Sequence, residues 1–377
     1  MQSYQNVYRD GAWQTPLSSL PKSQLVLLFG DRQLASDADI GRQLDRHFPS
    51  AHIVGCSTSG EIHDTDIYDD SLCLCSVEFS PSTRIEAVYN TDLSAGLHSA
   101  CRELVAEINP VGLRYVLVLS DGQVVNGTEL IENLQACLPA GTPVSGGLAG
   151  DGTRFKETVL WCNGAAFSQG IILIAFYGEK LRVGHGSVGG WDPFGPERTI
   201  TKSRNNVLFS LDGKPALELY KQYLGQHAEN LPASALLFPL SLIDEHQGCG
   251  VIRTILNVDE ENSSMTFAGD IPEGRKSQLM HANVERLLDG ANDAAQAAYE
   301  LMNKPVNRGI ALLISCVGRR LVLKTRTEEE LEVIRDQLPD SWAMCGFYSY
   351  GEISPGPEGC TLHNQTMTVT LISELDE

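Results

Sequence analysis

Two histidines of this chain have sequence surroundings that suit a prosthetic group. His185 lies between Gly184 and Gly186, and such small neighbours would let a bulky planar ligand approach the imidazole ring. His363 lies in a short stretch, residues 362–366, that closely follows a glycine turn. Either imidazole could be an axial ligand of haem iron, and either could equally be a hydrogen-bonded structural histidine. No HExxH or His-x-His pattern indicates a dedicated zinc site.

An arginine and several aromatic residues could complete such a site. Arg319 follows an apolar strand, and its guanidinium fork could hold a ligand carboxylate or a haem propionate. A solvated loop arginine would fit the same pattern. Trp191 and Tyr348 could line an apolar pocket or belong to the core. No nucleophile and base form a recognisable catalytic set, so we predict a binding protein and not an enzyme.

Three glycine-rich turns supply the other candidate ligand contacts. Residues 55–62 and 346–353 share the pattern G-x-x-[ST]-x-G-E-I, and residues 145–152 form a looser version of it. The turns lack the lysine of a phosphate-binding P-loop. Each could donate backbone N–H groups to a ligand, or could be a tight turn in which glycine supplies a positive φ. The candidate turn residues are Gly55, Ser57, Gly60, Glu61, Gly146, Gly147, Asp151, Gly346, Gly351 and Glu352.

Each turn closes a strand–helix–strand unit, and these units run over residues 25–62, 115–152 and 310–353. A buried strand, an amphipathic helix and a second strand predict a right-handed βαβ crossover with a parallel strand pair. Ligands of such sheets bind beyond the carboxyl ends of the strands, where the glycine turns lie. The matching first and third turns indicate internal duplication. We therefore expect an α/β fold with repeated βαβ units, mixed sheets and two pseudo-symmetric halves.

The remaining stretches suggest where the halves divide. Residues 215–224 are predicted to form a helix, and residues 275–303 a long one. We place an N-terminal extension at residues 1–23, a first domain at 24–210 and a second domain at 211–377.

Composition and charge exclude several classes of protein. The chain of 377 residues carries 48 acidic and 28 basic side chains, and its net charge of −20 disfavours nucleic acid and anionic membranes. No apolar run approaches the ~18 residues of a membrane-spanning helix. The N-terminus does not resemble a secretory signal. The ten cysteines are dispersed, which predicts buried, reduced thiols and a cytoplasmic location.

Six motifs in order resemble those of FIST proteins. Residues 55–62 and 145–152 are similar to the FIST N-terminal domain, and the resemblance extends over about residues 24–372. The motifs that resemble the FIST C-terminal domain are residues 211–216, 315–319, 346–353 and 362–366.

The resemblance implies a sensory input for signal transduction, commonly in bacteria, with small ligands such as amino acids. One branch of the family consists of haem-binding nitric oxide sensors that regulate a histidine kinase, and this chain is similar to it in layout. We therefore expect haem b, held by His185 or His363, and a kinase partner with a basic surface. The alternative is a haem-free small-molecule sensor in which Arg319 pairs with a ligand carboxylate.

Overall fold

The computed structural model describes residues 1–17, 22–231, 233–243, 250–302, 307–356 and 359–375. The helices are α1 (Arg32–Ala35), α2 (Ala38–His47), α3 (Leu97–Glu107), α4 (Gly127–Cys137), α5 (Ala216–Leu224), α6 (Val284–Leu301), α7 (Val317–Leu323) and α8 (Thr327–Arg335). Short 3-10 helices occupy Gly225–Asn230, Ala233–Leu237 and Lys324–Arg326.

The first fourteen strands are β1 (Gln2–Arg9), β2 (Ala12–Trp13), β3 (Leu25–Gly30), β4 (His52–Ser57), β5 (Glu61–His63), β6 (Asp66–Tyr68), β7 (Leu72–Glu78), β8 (Arg84–Asn90), β9 (Leu113–Ser120), β10 (Val144–Leu148), β11 (Leu160–Cys162), β12 (Ala165–Phe167), β13 (Ile171–Tyr177) and β14 (Leu181–Val188). The others are β15 (Asp192–Arg204), β16 (Val207–Leu211), β17 (Lys214–Pro215), β18 (Leu240–Leu242), β19 (Val251–Arg253), β20 (Ile255–Asp259), β21 (Ser264–Phe267), β22 (Lys276–His281), β23 (Gly309–Cys316), β24 (Ala343–Ser349), β25 (Gly351–Gly356), β26 (Gly359–His363) and β27 (Met367–Glu374).

Each βαβ unit forms the centre of its own sheet. The first sheet has the order β12-β11-β4-β3-β7-β1-β2, the second β26-β25-β10-β9-β13-β8, and the third β6-β5-β24-β23-β27-β14. In every sheet the central pair is parallel, as β3–β4, β9–β10 and β23–β24, and its neighbours are antiparallel. The predicted α/β class, the repeated βαβ units and the mixed sheets are confirmed.

The three sheets are joined by a cyclic exchange of strands. After the second parallel strand of each unit, the chain crosses into a neighbouring sheet. Strand β5 pairs with β24, β25 pairs with β10, and β11 pairs with β4. The three units that the sequence predicted are therefore three members of one repeat, although the match between the first and third turns had suggested a pair of halves. The second turn matches less closely because Ala149 and Gly152 stand where the other turns have a hydroxyl residue and a glutamate.

The core lies where the inner faces of the three sheets meet. Its largest cluster of buried side chains draws Leu27 from the first sheet, Leu117 from the second and Leu312 from the third. Helices cover the outer faces: α2 packs on the first sheet, α3 and α4 on the second, and α6 and α8 on the third. This sharing of one core ties the predicted N-terminal and C-terminal segments together, because non-polar burial is the main stabilising term in folding.

A fourth sheet forms a separate layer, which we call the fourth-sheet unit (β15–β22 with α5). Its strand order is β19-β18-β22-β15-β16-β21-β20, with β17 beside β16, and α5 packs over its own apolar core. The predicted helix at 215–224 is observed as α5. The helix predicted over 275–303 is wrong at its start, because Lys276–His281 pairs in this sheet as β22 and α6 begins only after the capping residue Asn283. Residue 303 lies outside the described part of the chain.

The sequence also led to predictions about the state of the cysteines and about membrane-spanning helices. Eight of the nine cysteines within the described residues are buried, Cys137 is half-buried, and all nine are free thiols, as predicted. Cys249 lies outside the described residues. Among the described helices, none combines the length and the apolar character needed to cross a bilayer.

Candidate functional site

The first three sheets, with the helices that cover them, form what we call the three-sheet body. A cavity of about 980 Å³ lies between this body and the fourth-sheet unit. The three-sheet body contributes residues that follow β9 and β23, together with Leu148 at the end of β10 and Tyr350 after β24. The cavity thus lies at the carboxyl ends of two parallel strand pairs, where the sheet topology predicts a ligand. The lining consists of Gly122, Gln123, Val124, Val125, Asn126, Leu148, Thr153, Phe155, Asn206, Asn230, Leu231, Leu236, Thr254, Ile255, Leu256, Phe267, Ala268, Gly269, Cys316, Val317, Gly318, Leu321 and Tyr350.

The loop between β9 and α4 is held by two local hydrogen-bonded caps. The Asp121 carboxylate accepts hydrogen bonds from the backbone N–H groups of Gln123 (2.8 Å) and Val124 (2.7 Å). The Asn126 side chain then caps α4 by accepting from the N–H of Thr128 at 3.0 Å. Because both ends of the loop are fixed by short-range bonds, its lining residues present a preorganised wall.

An aromatic pair forms another part of the wall. The rings of Phe155 and Tyr350 stack with centroids 4.5 Å apart and an interplanar angle of 15°. The Tyr350 hydroxyl donates to the carbonyl of Gly152 at 3.1 Å. Phe155 has a φ of +51°, which a bulky residue rarely adopts. Val124, Phe155 and Leu256 are the exposed large apolar residues of the lining, so the cavity has an apolar mouth.

Two buried glutamates occupy equivalent places in the first and third turns. Glu61 accepts hydrogen bonds from the hydroxyls of Thr58 (2.6 Å) and Ser71 (2.8 Å). Glu352 accepts from the Ser349 hydroxyl at 2.5 Å and the Thr366 hydroxyl at 3.1 Å. Burial raises the pKa of each carboxyl from 4.5 to about 8, although these hydrogen bonds oppose the shift. Both therefore hold turns together as neutral acids at neutral pH.

The raised pKa of Glu352 predicts a pH-dependent effect of Glu352→Gln. In the folded chain Glu352 keeps its proton up to about pH 8, whereas the unfolded chain loses it near 4.5. Its contribution to stability is therefore fully present below pH 4.5 and is lost as pH rises towards 8. From pH 5 to pH 9 the variant should gain about 2–4 kcal/mol in free energy of unfolding relative to the wild type, as measured by urea unfolding.

Glu132→Gln is the matched control, because Glu132 is exposed on α4. This variant should keep the same difference from the wild type at both pH values. A difference for Glu352→Gln that does not change with pH would show that Glu352 is ionised in the folded chain.

The glycine turns meet one another, and of their residues only Leu148 and Tyr350 line the cavity. The N–H of Gly150 donates to Ser57, the N–H of Ser59 to Tyr348, and the N–H of Tyr350 to Leu148, at 2.8, 2.8 and 3.2 Å. These bonds join the three sheets at their strand ends. The proposal that the turns donate to a ligand is thus not supported, because these donors serve the junction. The candidate turn residues outside the cavity lining are Gly55, Ser57, Gly60, Glu61, Gly146, Gly147, Asp151, Gly346, Gly351 and Glu352.

Arg319 is part of a buried ion pair and is not available to a ligand. Its guanidinium, fully buried, bonds the Glu330 carboxylate at 2.5 Å and donates to the carbonyl of Leu287 at 2.7 Å. Two aromatic candidates are also engaged, since the Trp191 indole donates to the carbonyl of Gln365 and the Tyr348 hydroxyl donates to Glu330. The structure therefore does not support the expectation that Arg319 binds a ligand carboxylate or a haem propionate.

The glycines beside His185 serve a helix and not a planar ligand. A Cβ added to Gly184 would lie 2.0 Å from the carbonyl oxygen of Ala298, and one added to Gly186 would lie 2.1 Å from that of Ala294. These glycines allow α6 to pack closely on β14, which explains their spacing without a prosthetic group. His185 itself is half-buried, and burial lowers its pKa.

His363 lies on β26, outside the cavity lining. Its Nε2 is 2.8 Å from the Thr361 hydroxyl. Burial, together with nearby Arg253, lowers the pKa of His363 to about 4.

The residues of the cavity do not fit a haem. No histidine is among its described lining residues. Of the two lining groups that could bind iron as anions, the Tyr350 hydroxyl already donates to the carbonyl of Gly152, and the Cys316 thiol is buried, which raises its pKa well above the ordinary range. Within the described part of the chain, no three metal-binding side chains cluster either. His246 lies outside it. We therefore derive no chemistry through haem.

The fold and the cavity define an α/β protein with repeated βαβ units and a ligand-sized site between layers. The chain belongs to the FIST family: residues 24–214 match the FIST N domain and residues 216–355 match the FIST C domain. FIST domains are associated with sensing and signal transduction. The cavity lining comes from both matched segments.

Among proteins of known sequence, the uncharacterized protein MJ1623 of Methanocaldococcus jannaschii is 24% identical over 317 residues. The matched region covers 77% of this chain and 59% of that relative, so the chain spans about three fifths of the relative's length.

Two solved structures of cyanuric acid hydrolases are similar at a low level. The enzyme from A. caulinodans has a TM-score of 0.35 and 9% identity, with 100% of this chain and 99% of that chain covered. A second cyanuric acid hydrolase has a TM-score of 0.24 and 11% identity, with 75% and 100% covered. Likeness at these TM-scores carries no argument about activity.

Proposed function

We propose that the chain is a haem-free sensor that binds a small organic molecule in the cavity and reports it to a signalling partner. The observation that carries the proposal is the cavity of about 980 Å³, whose walls come from both FIST domains. Its volume lies at the upper end of the range of ligand sites, roughly 300–1,000 Å³.

The position of the cavity suggests how binding is reported. A ligand in it touches the loop after β9 on one side and β20 and β21 of the fourth-sheet unit on the other. Such a ligand stabilises the arrangement of the two layers that it fits best. The partner then reads the shift from a surface that spans the layers. A histidine kinase in this role stays a prediction, as does the absence of catalytic activity.

The proposal predicts that blocking the mouth abolishes ligand retention. Val124 and Leu256 line the cavity and are 55% and 48% exposed, so tryptophan at both positions narrows the mouth with little effect on the fold. Protein purified natively, then denatured and extracted, should release a small molecule that mass spectrometry finds at least about tenfold depleted in V124W/L256W, since every 1.4 kcal/mol of lost affinity is tenfold.

Val111→Trp is the matched control, because Val111 is 76% exposed and lies outside the cavity lining. It should retain the ligand. Extracts that are identical for all three proteins would contradict the proposal. An absorption spectrum of the native protein tests the haem alternative: a Soret band lost in His185→Ala or His363→Ala would favour haem.

A further inference from the structure

The described residues that line the cavity carry no charged side chain. This is unexpected by composition, because 20% of the chain is Asp, Glu, Lys or Arg. The polar groups of the lining are instead neutral amides and hydroxyls, among them Gln123, Asn126, Asn206 and Thr254. The rest of the wall is aliphatic or aromatic.

Charged groups just behind the wall are engaged by the protein, and one of them is Asp270, whose carboxylate accepts from the amide of the lining residue Asn126 at 3.1 Å. Asp121, 2% exposed, accepts from two backbone N–H groups and from the Thr158 hydroxyl at 2.6 Å. Arg253, 6% exposed, donates to the carbonyls of Leu362 at 3.0 Å and Asp270 at 3.2 Å. A charged ligand would therefore lose its hydration without gaining a counter-charge, which strongly opposes binding.

Two buried oxygen atoms at the wall have no hydrogen-bond partner among the described residues: a hydroxyl, which accepts or donates, and an amide oxygen, which only accepts. The Oγ1 of Thr254 is one, and this residue lines the cavity. The other is Oε1 of fully buried Gln365, whose amide lies against Gly318: a Cβ added to that glycine would be 2.6 Å from Oε1. Its Nε2 donates to the carbonyl of Leu236 at 3.4 Å. Buried acceptors are normally paired, so this wall favours a ligand that brings a donor.

We infer that the ligand is an electrically neutral organic molecule with a largely apolar body and at least one N–H or O–H donor. The inference names the ligand class of the proposed sensor site and therefore rests on the proposed function. This ligand class excludes a zwitterionic amino acid and a carboxylate, because neither would meet a charged side chain among the described residues of the lining.

Matched compounds on a common ring test the inference. For each of benzene, N-methylindole and naphthalene scaffolds, none of which has a ring N–H, the primary amide, the N,N-dimethyl amide, the carboxylate and the amine are added at about 1 mM to the full chain, a concentration that detects even weak binders. Thermal shift measures binding, because a ligand of the folded state raises the melting temperature. Each compound is also tested on V124W/L256W and on V111W.

Primary amides should raise the melting temperature most, with carboxylates and amines at least about tenfold weaker and the effect absent in V124W/L256W. Equal binding by primary and N,N-dimethyl amides would overturn the donor requirement. Preferred binding of acids or amines that V124W/L256W abolishes would overturn neutrality while the proposed function stands. A panel in which no primary amide binds overturns the inference, and stabilisation that V124W/L256W leaves unchanged counts against the cavity itself.

Discussion

Replacing Arg319 with methionine is expected to lower the free energy of unfolding by about 3–5 kcal/mol, because it leaves a buried carboxylate without its counter-charge. Arg319 and Glu330 are both fully buried, and their closest N–O distance is 2.5 Å. Glu330 also accepts from the hydroxyls of Ser315 (3.1 Å) and Tyr348 (3.2 Å). These two hydroxyls cannot replace the charge of the guanidinium. Urea unfolding at neutral pH measures the loss.

Arg319 also connects elements that are distant in sequence. Its guanidinium donates to the carbonyls of Gly189, after β14, and of Leu287, in α6. Methionine fills similar volume but leaves both carbonyls without this donor, and each lost buried bond adds to the cost. The substitution is therefore expected to loosen the packing of α6 against α7 as well as to leave Glu330 unpaired.

Two further variants distinguish a buried ion pair from a solvent-exposed ion pair. The double variant R319M/E330Q removes both charges and should recover a large part of the loss, since the isolated charge is the main penalty. Arg326→Met breaks ion pairs with Glu329 and Glu285 that are largely exposed to solvent, and should cost far less stability than Arg319→Met. A loss of under about 1 kcal/mol for Arg319→Met would show that Glu330 is neutral or solvated.

The parts of the fold that follow from local pattern could be predicted from the sequence. The apolar runs that became β3, β9 and β23 are buried along nearly their whole length, and such runs indicate central strands of a covered sheet. The exchange of strands between sheets could not be predicted in this way. It depends on which edge each short strand joins after its turn, and β5 and β11 are only three residues long.

The cavity lies at the edge of the sheets that the sequence predicted, but the predicted site residues are not among its lining. The rule of strand ends pointed to the carboxyl edge where the glycine turns lie, and residues that follow β9 and β23 line the cavity there. The polar residues predicted to contact a ligand, Glu61, Arg319 and Glu352, are buried. A buried polar group must find its hydrogen-bond partners within the fold itself. Spacing alone does not separate such structural groups from ligand contacts. The wall supplied by β20 and β21 carries no motif at all.

The glycines in the second parallel strands give the other large predicted effect. A Cβ on Gly55 would lie 1.7 Å from the carbonyl oxygen of Leu28 and 2.4 Å from the indole nitrogen of Trp161. Because Leu28 belongs to the parallel partner β3, its carbonyl cannot move without breaking the strand pairing. Gly55→Ala is therefore expected to destabilise the chain by about 3 kcal/mol, at the upper end of the usual cost of overpacking, because the contact is with rigid backbone.

Gly41→Ala is a control that should change the stability of the chain in the opposite direction. Gly41 lies within α2, and a Cβ added there meets no atom within 4 Å, so alanine should stabilise by roughly 0.5–1 kcal/mol. Urea unfolding, with far-ultraviolet circular dichroism as the probe, reports both changes. Tolerance of Gly55→Ala would mean that β3 and β4 are further apart at this point than the structure places them.

The same contact recurs in the other two units, which makes the prediction a test of their equivalence. A Cβ on Gly146 would lie 1.8 Å from the carbonyl oxygen of Val118, and one on Gly346 would lie 1.8 Å from that of Leu313. Each glycine faces the first parallel strand of its own unit, as Gly55 does. If the three units are equivalent, Gly146→Ala and Gly346→Ala should destabilise to a similar extent. A large effect confined to Gly55 and Gly346 would instead restrict the duplication to the first and third units.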